Sequence, residues 1–334
     1  MLSIGHVTIA SPLVLAPMAG ISDLPFRLIS RSFGCKFAFT EMISANSLVH
    51  KNKNTLKMLS TGIDDRPLGV QILGGDAGVI KRALEIISGY SFDTIDFNAA
   101  CPVNKVVSRE EGAGLLRTPE KLQKIVKVIV ENAGVPVTVK IRSGWDESYI
   151  NAVETALRIQ DAGAGGLFIH GRTRTQGYRG RVDYRIITEV KKALQIPVIA
   201  SGDALTPELV KKLFNETGCD GVAVARGALG NPWIFRETGE YLENGTVGFR
   251  PGVHEITETM KRHLDLLVSY HGERSGVVRF RKFYSWYTKG MSVKHLKEMA
   301  FSAATSDEML GLIEEIQASP PAGDIRIRRV KQKP

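Results

Sequence analysis

With 334 residues, 43% hydrophobic and 24% charged, the chain has the composition of an ordinary globular protein with one large or two ordinary domains and a sizeable core. No apolar run approaches the roughly 20 residues of a membrane span, residues 1–10 lack a basic stretch followed by an apolar one, and the three cysteines, Cys35, Cys101 and Cys219, fit neither a zinc motif nor a disulfide framework. We therefore expect a cytoplasmic protein without metal or membrane association, a monomer, whose net charge of +9 suits anionic partners.

In chain order, short apolar runs bounded by turn residues recur at Leu13 to Pro17, Phe37 to Met42, Leu68 to Leu73, Asp93 to Phe97, Pro136 to Ile141, Gly166 to His170, Pro197 to Ser201 and Asp220 to Ala225. Helical patterns lie between them, among them Ala77 to Ser88, Pro119 to Asn132, Tyr149 to Ala162, Tyr184 to Leu194 and Pro207 to Asn215. Strand and helix alternating eight times imply parallel pairing with helical crossovers. Near-continuous apolar strands such as Pro197-Val198-Ile199-Ala200 suit a sheet buried on both faces. The count favours a (β/α)8 TIM barrel over a doubly wound sheet, because the first strand is followed by Ala16-Pro17-Met18-Ala19-Gly20 and not by Gly-x-Gly-x-x-Gly.

After Leu242 the pattern changes through a turn-rich break, Glu243 to Gly252. From Val253 onward Ile256, Met260, Leu264 and Leu267 recur at helical spacing, which predicts a small helical domain. The expected organisation is a barrel at 1–243, a helical domain at 253–318 and a basic, flexible tail at 319–334. Arg279, Arg281 and Lys282 stand among Phe280, Phe283, Tyr284, Trp286 and Tyr287, and cations interleaved with rings suit a polyanion whose bases stack. The alternative is a solvated basic helix face.

A (β/α)8 barrel keeps its chemistry at the carboxyl ends of its strands, often with a phosphate held after strands seven and eight. Those loops read Ser201-Gly202-Asp203 and Ala225-Arg226-Gly227-Ala228; glycine lets backbone amides approach an anion, and Arg226 can add a bidentate contact. Gln71, Lys140 and His170 end strands three, five and six, and a lysine inside the apolar run Val137 to Ile141 needs a partner. A snorkelling surface lysine and a merely satisfied histidine are the competing readings. Together these groups describe a site for a phosphorylated ring, best matched by FMN, with Lys140 placed to stabilise a reduced anionic ring. Cys101, just past strand four, faces the same mouth. An unperturbed thiol, of pKa about 8.5, is mostly protonated at neutral pH and can donate a proton. The competing reading is a small buried hydrophobe.

These residues resemble the tRNA-dihydrouridine synthases, particularly the bacterial B-type branch. The resemblance is carried by Ala16 to Gly20, Gln71, Asn98 to Pro102 with Lys105, Lys140-Ile141-Arg142, His170 to Thr173, Gly202-Asp203 and Arg226 to Phe235, then Arg281-Lys282 and Trp286 to Gly290. It implies reduction of the C5–C6 double bond of a uridine in tRNA, with FMN recycled by NADPH. It further implies that Pro17, Met18, Ala19, Gln71, Lys140, His170, Ser201, Gly202, Asp203, Ala225 and Arg226 bind FMN. Hydride would pass to C6 and a proton from Cys101 to C5. Asn98, Arg142 and Arg172 would orient flavin or uracil, while Arg279, Arg281 and Lys282 would hold the tRNA. Three positions depart from the usual pattern: Ala100 where glycine is usual, Ser201 for asparagine and Ala225 for glycine. Two other readings remain: an FMN-dependent reductase of a small free pyrimidine or enone, and a tRNA-binding or folding module with secondary catalysis.

Overall fold

The computed structural model describes residues 1–318; the tail expected at 319–334 lies outside the described residues. Eight parallel strands form the barrel: β1 (Leu13–Leu15), β2 (Ala38–Phe39), β3 (Leu68–Leu73), β4 (Thr94–Asn98), β5 (Val137–Arg142), β6 (Gly166–His170), β7 (Val198–Ser201) and β8 (Gly221–Val224). Ala38 is paired with Leu15 of β1 and with Leu68 of β3, which closes the ring and leaves no free edge. Residues on these strands are buried almost throughout, as a sheet covered by helices requires.

The surrounding helices are α1 (Leu24–Ser32), α2 (Ala77–Ile87), α3 (Pro119–Asn132), α4 (Ala152–Asp161), α5 (Tyr184–Ala193), α6 (Pro207–Thr217) and α7 (Ile234–Asn244). Local chemistry sets their ends. Asp23 caps α1 by accepting the Phe26 N–H, and Thr206 caps α6 by accepting that of Leu209, with Pro207 in the first turn and Gly218 closing the helix at φ +65°. Several expected boundaries move by one to three residues: the strands read at Leu13 to Pro17 and Phe37 to Met42 are the shorter Leu13–Leu15 and Ala38–Phe39. The helix read from Tyr149 starts at Ala152, because Tyr149 and Ile150 pair back onto Gly144–Asp146 in a small hairpin beyond β5.

The barrel interior is a separate apolar core of Val14, Ala16, Phe37, Phe39, Phe168, Ile199 and Ala223. Phe39 meets Phe37 and Phe168 edge-on at centroid distances of 5.0 and 5.4 Å. A Cβ at Gly69 would lie 2.3 Å from the Phe39 ring, so β3 needs glycine there. The amino-terminal hairpin, Leu2–Ile4 paired with Val7–Ile9, adds Leu2, Ile4 and Ile9 to this core. It plugs the amino end of the barrel and leaves the carboxyl end for function.

Beyond α7 the described residues hold four helices: α8 (Val253–His271), α9 (Glu273–Tyr287), α10 (Lys294–Ser302) and α11 (Ser306–Ala318). Gly276 lets α9 approach the α8 backbone, where a Cβ would lie 2.7 Å from Val268. Phe26 of α1 stacks on Phe283 at 5.6 Å, and Trp233 meets Tyr287 at 6.1 Å, so this region is docked on the barrel. The expectation that the rings of α9 serve base stacking is corrected. Phe280, Phe283, Tyr284 and Tyr287 are buried in the core, and Trp286 is half-buried.

Candidate active site

The parallel register puts polar groups of β3, β4 and β5 side by side. Gln71 is paired with Asp96, Asp96 with Thr138, and Asn98 with Lys140. Side chains two apart on a strand share a face, so Asp96 and Asn98 point the same way, as do Thr138, Lys140 and Arg142. The result is a connected chain of hydrogen bonds. Asp96 accepts from Thr138 Oγ1 and from Gln71 Nε2, both at 2.6 Å. Gln71 Oε1 accepts from Asn98 Nδ2 at 2.9 Å, and Asn98 Oδ1 accepts the N–H groups of Ala100 and Cys101 at 3.0 and 2.9 Å. Burial pushes the Asp96 carboxyl up to about 6, against the lowering effect of its hydrogen bonds and of the Lys140 ammonium. Burial also pushes Lys140 down, partly opposed by Asp96. Cys101 is half-buried at the start of the loop after β4, while Cys35 and Cys219 are buried.

Further round the ring, Arg142 is paired with His170 and His170 with Ser201. His170 is buried and its Nδ1 has no hydrogen-bond partner. Burial, then the cations Arg142, Lys140, Arg172 and Arg226, hold this imidazole well below its ordinary pKa, hence neutral. Arg142 Nε donates to the Ala100 carbonyl at 2.8 Å and Nη1 to those of Thr173 and Gly177 at 3.0 and 2.9 Å. The Asp203 carboxylate accepts both Arg172 Nη groups, at 3.1 and 2.6 Å, and Arg226 Nη2 at 2.8 Å. Thus Asn98, Arg142 and Arg172, expected to touch flavin or uracil, spend most of their polar atoms bracing loops.

The loop after β1 is a tight turn in which Met18 O accepts the N–H groups of Ile21 and Ser22 at 3.0 Å, leaving Pro17 and Met18 half-buried and Ala19 exposed. Lys282 of α9 donates its ammonium to Gly20 O in the same turn, and Arg279 lies near Glu41 and Lys282. These two cations reach the mouth. Arg281 does not: it donates to Ala303 O at 2.7 Å within the helical region.

Sequence reasoning missed two residues. Asp96 was legible only as the strand position two before Asn98, on the same inward face. Tyr178, an exposed ring in the loop after β6, stands 5.1 Å from the Arg226 guanidinium and edge-on to His170 at 6.5 Å. Its signal was a lone aromatic in Gly177-Tyr178-Arg179-Gly180.

These groups fit an anionic, ring-bearing ligand. The unpartnered His170 Nδ1 needs a polar neighbour. Gly202, at φ +119°, leaves open a space where a Cβ would lie 2.8 Å from Val182 and 3.3 Å from His170 Nε2. The half-exposed Arg226 guanidinium adds positive charge beside it. Another pocket, of about 560 Å³ lined by His6, Arg66, Phe92 and Asp93, lies at the amino ends of the strands, away from Cys101. Among the described residues no helix is long and apolar enough to cross a membrane, and no group of His, Cys, Asp and Glu is arranged to hold a metal.

Comparison with known proteins adds a family. A model described as dihydrouridine synthase matches residues 14–319. The tRNA-dihydrouridine synthase B of Xanthomonas axonopodis pv. citri is 35% identical over 327 residues, covering 96% of this chain and 98% of that one. The protein of the same name from Pseudomonas putida is 38% identical over 285 residues, covering 85% and 84%. A probable tRNA-dihydrouridine synthase 1 of Synechocystis sp. is 36% identical over 316 residues, covering 94% and 88%. Among solved structures, histamine dehydrogenase from Rhizobium sp. 4-9 superposes with a TM-score of 0.57 at 13% identity, over 79% of this chain and 50% of that one. A 2-naphthoyl-CoA reductase does so with 0.58 at 13%, over 72% and 51%. The chain thus spans about half the length of these two structures, and they show the barrel fold alone.

Proposed function

The chain belongs to the dihydrouridine synthase family and is an oxidoreductase that reduces uridine in tRNA with a flavin; from that premise we propose FMN as the flavin, NADPH as its electron donor, Cys101 as the proton donor and the cytoplasm as its place of work. When bound, the flavin supplies the hydride that saturates the C5–C6 double bond of the pyrimidine. Gln71, Lys140 and His170 hold its ring, with Pro17, Met18 and Ala19 beside it. The backbone of Ser201 and Gly202 and of Ala225 and Arg226 holds its phosphate. A carboxylate repels a phosphate, so Asp203 acts here by fixing the Arg226 and Arg172 guanidiniums. Lys140 balances negative charge on the ring, and Cys101 gives its Sγ proton to C5. The serine at 201 and alanine at 225 are small and keep their amides available.

A uridine stacked within tRNA must be extruded before it can reach a strand-end site. The helical region Val253–Ala318 holds the tRNA during that step, with Arg279 and Lys282 at the junction with the barrel. The observation that carries this reading is the Cys101 backbone N–H bound by Asn98, itself held by Gln71, with Cys101 within electrostatic reach of Lys140 at the carboxyl end of the barrel.

The test uses purified protein, NADPH and an unmodified tRNA transcript, with nucleosides analysed by mass spectrometry. The expected results are flavin absorption bands in the protein, dihydrouridine in the tRNA, and a loss of about 10²-fold or more with Cys101→Ala at undiminished tRNA binding. Colourless protein, or Cys101→Ala turning over like wild type, overturns the assignment. Reduction of free uridine in preference to tRNA favours the small-pyrimidine alternative.

A further inference from the structure

We propose that Asp96 is a positioning residue that sets the direction of the side-chain hydrogen bonds running through Gln71 and Asn98 to the loop of Cys101, and so fixes where the thiol sits. This rests on the reading of Cys101 as proton donor. The argument concerns which atoms can donate. An ionised carboxylate only accepts, so Gln71 must turn its Nε2 toward Asp96 and its Oε1 toward Asn98. Asn98 must then present Nδ2 to Gln71, which leaves Oδ1 to accept the N–H groups of Ala100 and Cys101. The far end imposes the same sense, because backbone N–H groups only donate. An acceptor at one end and two donors at the other leave the two amides one orientation.

Thr138 makes the device tolerant of protonation. Its hydroxyl donates to the carboxylate at 2.6 Å and, by rotating, can accept from a carboxylic acid, which leaves the other oxygen free to accept from Gln71. The charged group facing Asp96 is the Lys140 ammonium. A pure counter-charge role for Asp96 toward Lys140 is the competing account, and the two are separable. Asp96→Asn removes the charge and keeps the direction, since its Nδ2 can donate to Thr138 and its Oδ1 can accept from Gln71. Asp96→Leu removes both.

The readout is alkylation of Cys101 by iodoacetamide in the native protein, located by peptide mass spectrometry. Cys35 and Cys219 are buried with thiols pushed up by burial, so their protection reports that a variant is folded. Asp96→Asn is expected within about twofold of the wild-type rate, and Asp96→Leu changed by about fivefold or more, as loss of the hydrogen bond that anchors Gln71 at the head of the chain implies. Equal changes in both variants establish the charge account and overturn ours; no change in either overturns it as well. Should Asp96→Leu not fold, Thr138→Val decides. Without the hydroxyl, a protonated Asp96 keeps only Gln71 to donate to, and loss of the Thr138 bond raises the carboxyl further, so the ratio of variant to wild-type alkylation should differ by about threefold between about pH 9 and pH 6. A flat ratio overturns the proposal. Dihydrouridine formation by wild type is measured alongside: its absence with the predicted alkylation pattern removes the proposed function, not the positioning role.

Discussion

Arg142 Nε donates to the Ala100 carbonyl oxygen at 2.8 Å, so a cation of β5 holds the residue immediately before the candidate catalytic thiol. The same guanidinium spans to Thr173 and Gly177, tying the loop after β4 to the loop after β6. One planar fork makes three contacts in fixed geometry. Arg142→Lys keeps a charge but cannot reproduce the fork, and should lower dihydrouridine formation by about tenfold or more, with a cost of about 2 kcal/mol in stability. Activity on tRNA and urea unfolding check this; a lysine variant with wild-type values in both removes the bracing role.

Asp65 is fully buried against Arg27 at 2.8 Å, and Arg27 also donates to the carbonyls of Ser22 and Ser60 at 2.9 Å. Arg31 Nε also donates to Asp65 Oδ1 at 3.4 Å, so removing Asp65 leaves two largely buried guanidiniums without their carboxylate. Asp65→Ala should therefore cost about 3–5 kcal/mol, whereas Arg27→Met with Asp65→Leu should cost much less than the two single changes summed. Denaturant unfolding of the four proteins of this double-mutant cycle gives the coupling, and strict additivity is the outcome that contradicts it.

Much of the fold was legible because barrel strands advertise themselves. Leu68–Leu73 and Gly166–His170 are as read, and α3 starts and ends where Pro119 and Asn132 suggested. The amino-terminal hairpin was not seen, since two three-residue strands around Gly5 carry too little pattern. The α9 rings were misread although the sequence held the clue: Phe280, Phe283, Tyr284 and Tyr287 lie at i, i+3, i+4 and i+7, the spacing of a buried stripe. For the candidate site, residue types and strand ends could be read, but partners could not. That Asp96 meets Gln71 and Thr138 depends on register between three strands far apart in sequence, and that Arg172 meets Asp203 depends on the shape of two loops.

His263 of α8 is buried among Phe26, Phe280, Phe283 and Tyr287, with its Nδ1 3.1 Å from Tyr287 Oη. Burial pushes its pKa down to about 4 from an ordinary 6.5. The unfolded chain therefore takes up a proton first as pH falls, and stability is lost below about 6.5 until the folded form also protonates near 4. The loss at pH 5 should be about 2 kcal/mol. Unfolding at pH 7.5 and 5 should show it in wild type, and His263→Phe should remove most of it. An unchanged pH dependence in that variant assigns the effect to another group.

Gly230 precedes Asn231 and Pro232 at φ +65°, where a Cβ would lie 2.3 Å from the main-chain carbon of Trp286. Two costs fall on any side chain there. The left-handed backbone disfavours it by about 1 kcal/mol, and the contact is with backbone, which cannot rotate away, so α9 must shift relative to the barrel. Because Lys282 is held to Gly20 from that same helix, the shift also moves the cations at the junction. Gly230→Ala is thus expected to lower stability by about 3 kcal/mol or more and to weaken tRNA binding, while a flavin site built from strand ends remains. Calorimetry, filter binding of tRNA and flavin absorbance measure the three quantities on one preparation. Loss of flavin with tRNA binding intact would show that the helical region is not set by this contact.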